Sequence, residues 1–460
     1  MMLDLFVVAL YALGMLGLGW WGMKRARNRE DYLVAGRRLG PGMYLGTLSA
    51  VVLGGASTVG TVKLGYTYGL SGLWLCASLG LGLIVLSLVL AKPLMKLKLY
   101  TVTQVLERRY TPAAKLISSI IMFAYDLMLA VTSTIGIGTV LSVIFGMAAW
   151  QAVVIGGIVV VIYSTIGGMW SLTLTDIVQF LIMTVGMVAL LLPLTIHSVG
   201  GWDALLEKAP ATSFSLTAIG WDTIITYFVI YFLGILIGQD IWQRVFTARS
   251  SGVARGAGTF AGIYCIFYGM IGALVGIAAS ILLPNLDDAN NAFAAIAQLA
   301  LPDGIRGLII AAAMAAMMST SSAGMLASST LLTQDILPAL RGGREIDDVR
   351  INRLCTGLIG VVSVIIAINV SDVIGALTVA YNLLVGGMLI PMLGALFWKR
   401  STTTGAIASM LAGCAGVIGF MIKDGLLANS PIYAGLALGM IAFVAGSLLT
   451  RPHSMVASTP

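Results

Sequence analysis

Residues 48–60 read LSAVVLGGASTVG, and they lie in the middle of an apolar stretch, 42–69, rather than at its end. Gly54 and Gly55, followed by Ala56, Ser57 and Thr58, are poor material for a helix crossing hydrocarbon. Glycine frees the backbone. Freed carbonyls at membrane depth are tolerated only where they line a cavity or bind something. The stretch therefore predicts a helix broken near the bilayer midplane, where transporters place their ion and solute sites.

Working outward, the whole chain has membrane composition: 59% hydrophobic and 10% charged over 460 residues, against about 25% charged in soluble domains. Thirteen apolar segments are near or above the roughly 20 residues that span a bilayer. They run 3–24, 42–69, 72–98, 114–146, 148–166, 171–198, 222–246, 255–284, 303–337, 349–371, 374–397, 403–423 and 430–450. The fold class is all-α and polytopic, a single transmembrane domain over 1–460 whose partner is the lipid bilayer. Between the spans, 99–113, 199–221 and 285–302 are too polar to cross, and each predicts a short surface helix.

The net charge of +7 reflects topology rather than nucleic-acid binding. If thirteen spans alternate, 22 of the 26 Lys and Arg residues fall on one side, with only Lys63, Lys208, Arg306 and Lys423 elsewhere. By the positive-inside rule that side is cytoplasmic, so the amino terminus is expected outside a bacterial inner membrane and the carboxyl terminus inside. The first span lacks a basic n-region and is followed by KRAR (24–27), which predicts an uncleaved helix. The nine residues after Arg451 leave no room for a fused signalling domain, which argues against a sensory module. Cys76, Cys265, Cys355 and Cys414 show neither metal-ligand spacing nor a disulfide framework. With His197 at an external helix end, His453 in the tail and no Walker lysine, neither an enzyme nor an ATP-driven pump is expected, and no organic cofactor.

Four successive hydroxyls, Ser319, Thr320, Ser321 and Ser322, lie inside segment 303–337. They read either as helix–helix glue or, opposite a broken helix, as oxygen ligands for Na+, a hard cation. Intramembrane ionisable residues cost about 2.5–3.5 kcal/mol each on insertion scales and need a reason. Lys63 could snorkel outward. Asp176 could cap its helix or bind an ion. Asp240 could pair with Arg244, four residues on. Asp126, beside Tyr125, has either a structural partner or a solute or ion role. No repeat is legible in the sequence, but a five-plus-five inverted repeat would pair 42–69 with segment 222–246, which also carries Gly234, Gly238, Gln239 and Asp240 mid-span.

Several segments together carry a resemblance: DYLVAGRRLG (31–40), LSAVVLGGASTVGTVKLGYTYGL (48–70), YSTIGGMWSLTLTDIVQ (163–179), QRVFTAR (243–249), LLTQDI (331–336) and FWKRSTTTGA (397–406). In combination they resemble the sodium:solute symporter family over nearly the whole chain. The resemblance implies a LeuT-like core of five plus five helices in inverted repeats, 42–198 and 222–397. One extra helix, 3–24, would precede the core and two, within 403–450, would follow it. It also implies Na+-coupled symport of a small organic solute by alternating access; a proton-coupled or uncoupled carrier of the same fold is the alternative.

Carried over by position, the resemblance puts Na+ on the carbonyls of Ala50, Leu53 and Ala316 and the hydroxyls of Ser319 and Thr320. A second Na+ would use Asp176 and Ser322, although Ala323 stands where a further serine is expected. Solute positions fall on Ser57, Cys76, Tyr231 and Thr378, with Gly234 at the aromatic inner-gate position. These side chains lack the hydrogen-bonding groups a hexose needs, which favours an amino acid, amine or small carboxylate. Tyr125 and Asp126 would suit an ammonium group, and Ser57 and Thr58 a carboxylate.

Overall fold

The computed structural model describes residues 2–370 and 372–451; the tail 452–460, with His453, lies outside the described residues. Among the described residues every regular element is helical, apart from a single parallel bridge between Leu39 and Ala248. Ten helices among the described residues are long and apolar enough to cross a membrane. The number is eleven when the pair Trp221–Ile235 and Gln239–Val245, bent by 45°, is taken as one span.

Two of these helices exceed a single crossing, with 41 residues in Ala56–Lys96 and 51 in Ala149–Val199. A bilayer core needs about 20. Each turns at a glycine with positive φ, Gly69 (+64°) and Gly168 (+54°), where the left-handed conformation strains any L side chain. Dividing there, and joining the short helix Pro41–Val52 to the helix after it, yields the thirteen expected spans. In chain order they are Met2–Met23, 41–68, 74–96, Pro112–Phe145, 149–167, 169–199, 221–245, Ser251–Leu282, Ile305–Leu340, Val349–Ile368, Val373–Phe397, Thr403–Asp424 and Ser430–Leu449. The short helices expected between spans are present as Thr103–Arg109, Trp202–Lys208 and Ala292–Ala300.

Burial sorts the spans into centre and periphery. The most apolar window is 94% buried in the ninth span and 89% in the eleventh, but only 28% in the first and the thirteenth. The outer spans instead expose Phe6, Leu10, Leu13, Ile441 and Leu449, the face expected toward lipid. Small residues let the spans touch: a Cβ on Gly80 would stand 2.5 Å from the Gly262 carbonyl, and one on Gly262 would stand 2.6 Å from that of Gly80. The third and eighth spans therefore meet backbone to backbone, as is usual where no hydrophobic effect drives helices together.

At Gly168 a Cβ would also lie 2.5 Å from the Tyr32 carbonyl. Gly168→Ala is expected to destabilise the protein by about 1–3 kcal/mol, the usual cost of a forced backbone conformation. Thermal unfolding in detergent should show a Tm several degrees lower, whereas Gly17→Ala, with nothing within 4 Å of the new methyl, should leave it unchanged.

Candidate ion and solute site

The second span starts at Pro41 behind an extended Gly40 and runs as an α-helix to Val52. Leu53 then leaves helical geometry (φ −96°, ψ 58°), and the chain resumes as a π-turn, Ala56–Gly60, followed by Thr61–Tyr68. An unbroken helix would pair the carbonyls of Ala50, Val51 and Val52 with the amides of residues 54, 55 and 56. Here hydroxyls replace those amides. Ser319 donates to the Ala50 carbonyl at 2.6 Å, Thr320 to that of Val51 at 2.6 Å, and Ser57 to that of Val52 at 3.0 Å. Ser319 also lies 2.9 Å from the Ala316 carbonyl.

The five positions expected to hold Na+ thus fall at one contact between the second and ninth spans. Ala50, Ala316 and Ser319 share hydrogen bonds, Thr320 faces the neighbouring carbonyl, and Leu53 forms the break itself. Val51 is an oxygen the sequence reading missed; its carbonyl lies one residue beyond the expected one. Gly54 is explained by space rather than by backbone freedom. A Cβ there would stand 2.5 Å from the Thr320 Oγ1. The hydroxyls and carbonyls form an all-oxygen set without a full charge, suited to a weakly bound hard monovalent cation.

Beside the break lies a small cavity of about 20 Å³, lined among others by Gly55, Ser57, Thr132, Ser133, Asp240 and Tyr381. That is room for about one water, so a solute requires the spans to part. Of the residues expected at the solute, Ser57 lines this cavity. Thr58 instead shares a hydrogen bond with Tyr268 at 3.2 Å, and Cys76 packs its Sγ 3.3 Å from Thr61. Tyr231 and Thr378 pair at 3.2 Å. Tyr125 and Asp126 lie off the cavity wall.

Tyr381, which the sequence reading missed, takes the centre of an aromatic cluster, with ring centroids 5.3 Å from Tyr125 and 5.1 Å from Tyr231. It packs so closely on Gly234 that any side chain there would collide with its ring. The aromatic group absent at position 234 is thus supplied by the eleventh span. Its position one helical turn after Thr378 is the signal that could have found it.

Three charge assignments change. Asp240 does not pair with Arg244: it accepts from the Tyr125 hydroxyl at 3.0 Å. Arg244 reaches Asp176 across the bundle instead, at 3.5 Å with both side chains fully buried. Asp176 also accepts from Thr47, so it is a structural partner rather than an interfacial cap. Ser322, expected beside Asp176 at a second ion, donates to the Ser319 carbonyl at 2.9 Å. Lys63 does not snorkel freely; it lies 3.6 Å from Asp372 at the start of the eleventh span.

Around Arg244 the seventh span is stitched down. Gln239 accepts from the Val102 amide at 2.8 Å and donates to the Tyr100 carbonyl at 2.9 Å. Gln243 donates to the Leu33 carbonyl and to Thr330, each at 2.8 Å.

The model of the sodium:solute symporter family matches residues 32–413. This chain belongs to that family. It is 26% identical to the sodium/proline symporters of Staphylococcus aureus strains JH9 and NCTC 8325, over 99% of its own length and 93% of theirs. In structure it is similar to a Na+-coupled sialic acid symporter in a substrate-bound, outward-open state. That match has a TM-score of 0.80 at 20% identity, over 99% of both chains. It also resembles Mhp1, a nucleobase-cation-symport-1 family transporter, with a TM-score of 0.54 at 12% identity over 92% of this chain and 96% of that one. The fold is LeuT-like, and the sodium:solute symporter is an integral membrane transporter of small solutes with Na+ as its coupling ion.

Removing Arg244 would leave Asp176 buried without a cation, typically worth about 3–5 kcal/mol. Arg244→Gln is expected to unfold at a much lower temperature, and Asp176→Asn combined with it should recover at least half of the loss. A double variant no more stable than the single one would show that the ion pair is not what Arg244 contributes.

Proposed function

We propose that this symporter moves a small amino acid, amine or carboxylate with Na+, and that Na+ binds between the broken second span and the ninth. Its ligands are the Ala50, Leu53 and Ala316 carbonyls and the Ser319 and Thr320 hydroxyls. One observation carries the reading: two adjacent hydroxyls of an intact helix approach within 2.6 Å of two carbonyls that the break has freed. A cation arriving there turns the hydroxyl protons away and takes their lone pairs, so binding exchanges existing hydrogen bonds for coordination. Because the ligands come from both spans, Na+ clamps them together and sets the geometry of the break.

The solute binds beside Ser57 in the cavity at the break. Its wall is mainly apolar, with Val51, Val52, Leu79, Leu129, Ile235 and Leu377 among its residues, and Asp240 as its only carboxylate. Such a wall has few partners for a many-hydroxyl sugar, and the sodium/proline symporters among its relatives point the same way. The two interrupted spans, at 53–54 and 236–238, are the first helices of inverted repeats 42–198 and 222–397. Rocking of one helix group against the other provides alternating access. The amino terminus faces out of a bacterial inner membrane, as the Lys and Arg distribution requires. The membrane potential then drives each Na+ inward with about 2.3 kcal/mol per 100 mV.

Each hydroxyl removed should weaken Na+ binding by about 1.5 kcal/mol, about tenfold. In proteoliposomes at fixed pH, Ser319→Ala and Thr320→Ala should each raise the Na+ concentration for half-maximal uptake by that factor, with the fold intact. Uptake indifferent to a Na+ gradient would overturn the coupling and favour a proton-coupled or uncoupled carrier. A thermal-shift screen in Na+ should show stabilisation by proline or another small amino acid, amine or carboxylate. Stabilisation by hexoses instead would refute the solute class.

A further inference from the structure

One end of the bundle gathers cations. The first span closes at Met23 and runs on into Lys24, Arg25 and Arg27. Its last turns press directly on the start of the sixth span. A Cβ on Gly22 would stand 2.5 Å from the Ser171 backbone, and Ser171 donates to the Gly19 carbonyl at 2.6 Å. Trp170, at the turn between the fifth and sixth spans, is thereby held beside the cationic run. With Asp31 and Arg38, from the lead-in to the second span, these residues line a pocket of about 350 Å³.

The pocket wall has four cations and one carboxylate, and that carboxylate, Asp31, is already paired with Arg38. Among the described residues Lys24, Arg25 and Arg27 enter no ion pair. Arg27 also borders a neighbouring pocket that contains Asp347 and Asp348, without pairing to either. The larger pocket at the same end, about 720 Å³, is different: its four cations meet three carboxylates, with Arg29 on Glu345 at 3.0 Å and Lys115 on Glu107 at 2.9 Å. Only the smaller pocket is left with unpaired positive charge on most of its wall.

Indole rings hold these cations in place. The Arg25 guanidinium lies 4.7 Å from the Trp21 ring centroid and 5.3 Å from that of Trp170, and the Arg38 guanidinium lies 5.6 Å from Trp170. The Lys24 ammonium sits 3.6 Å from the Trp20 ring. Stacking engages the face of a guanidinium and leaves its N–H edges for an anion. Trp170 is only 7% exposed, yet its indole N–H has no hydrogen-bond partner. A buried donor without an acceptor is costly, and an anion at this wall would supply one.

We propose that this pocket binds the phosphate of an anionic phospholipid headgroup. Phosphate oxygens accept paired hydrogen bonds from guanidinium edges, which gives such a contact both strength and orientation. Position favours a lipid over soluble phosphate. The pocket opens at the end of the first span, whose apolar window is only 28% buried, and Trp20 and Trp21 are exposed there as interfacial anchors are. Acyl chains of a lipid held there would run along the exposed face of that span. A basic pocket between spans at headgroup level is the usual form of an anionic-lipid site. The bound headgroup would join the end of the first span to the start of the sixth and to the lead-in of the broken second span.

The test uses the purified full chain, delipidated in a neutral detergent, and native mass spectrometry with dioctanoyl phosphatidylglycerol as the probe. One saturable copy per chain is expected, with dioctanoyl phosphatidylcholine bound far more weakly. Arg25→Gln and Arg27→Gln should each weaken the phosphatidylglycerol affinity about tenfold, the loss of one charge-assisted hydrogen bond. Trp170→Phe, which keeps a ring and removes the N–H, should weaken it by a smaller factor. Arg255→Gln removes an exposed cation at the same end but outside the pocket, and should leave the affinity unchanged. Thermal unfolding without lipid checks that each variant is folded, and the Arg25 and Arg27 variants stand in for each other if one fails.

Equal affinity for the two lipids overturns the proposal. So does an affinity that survives both Arg25→Gln and Arg27→Gln, which places the lipid elsewhere. A loss in Arg255→Gln as large as in the pocket variants would make the attraction a diffuse one, and the site fails. If inorganic phosphate displaces the lipid at equal concentration, the pocket belongs to a soluble anion and the lipid assignment is refuted.

Discussion

Hydrocarbon supplies no hydrogen bonds, so a helix can be broken inside a membrane only if something else satisfies the carbonyls the break releases. Most of this structure follows from that constraint. The carbonyls of Ala50, Val51 and Val52 are met by Ser319, Thr320 and Ser57. Two of those hydroxyls come from the ninth span, so that span must lie against the break. Close approach in turn requires Gly54 to have no side chain. The near-complete burial of the ninth span agrees with that requirement, and Ser319 and Thr320 of its four successive hydroxyls serve it directly.

The same arrangement makes the site responsive. Hydroxyl-to-carbonyl bonds of this kind are modest in net strength, about 0.5–1.5 kcal/mol each, so a cation can replace them without unfolding the helix. Elsewhere the spans are held by interactions that are harder to exchange. Arg244 with Asp176, and the two glutamines 239 and 243, tie the seventh span to the sixth and ninth and to the short segments near Leu33 and Tyr100. On the far side of the break Lys63 and Asp372 form a half-exposed pair, worth far less than a buried one. The two sides of the break therefore differ in how strongly they are fastened.

The number and placement of the spans were legible because apolar length is a property of the chain alone. Two pairs of spans merge into long helices only in the sense that their turns are tight, and the glycines at 69 and 168 mark them. The break at 53–54 was legible from its glycines and hydroxyls, although the reason for Gly54 was not. Its backbone keeps an ordinary conformation; what forbids a side chain is Thr320, more than 260 residues away in sequence. The aromatic cluster was hidden for the same reason. Gly234 reads as a missing aromatic until the eleventh span is seen to bring Tyr381 onto it.

By itself the sequence determined that this is a polytopic helical membrane protein with a helix broken at depth beside a run of hydroxyls. Those conclusions need only hydrophobic length, residue type and the period of a helix. Tertiary structure alone decided how the buried charges are shared. Asp240 and Arg244 stand four residues apart, the spacing at which neighbours on one helix usually pair, yet each turns to a different span. Which partner a buried charge meets depends on how helices are rotated and pressed against one another. No spacing along a single helix carries that information.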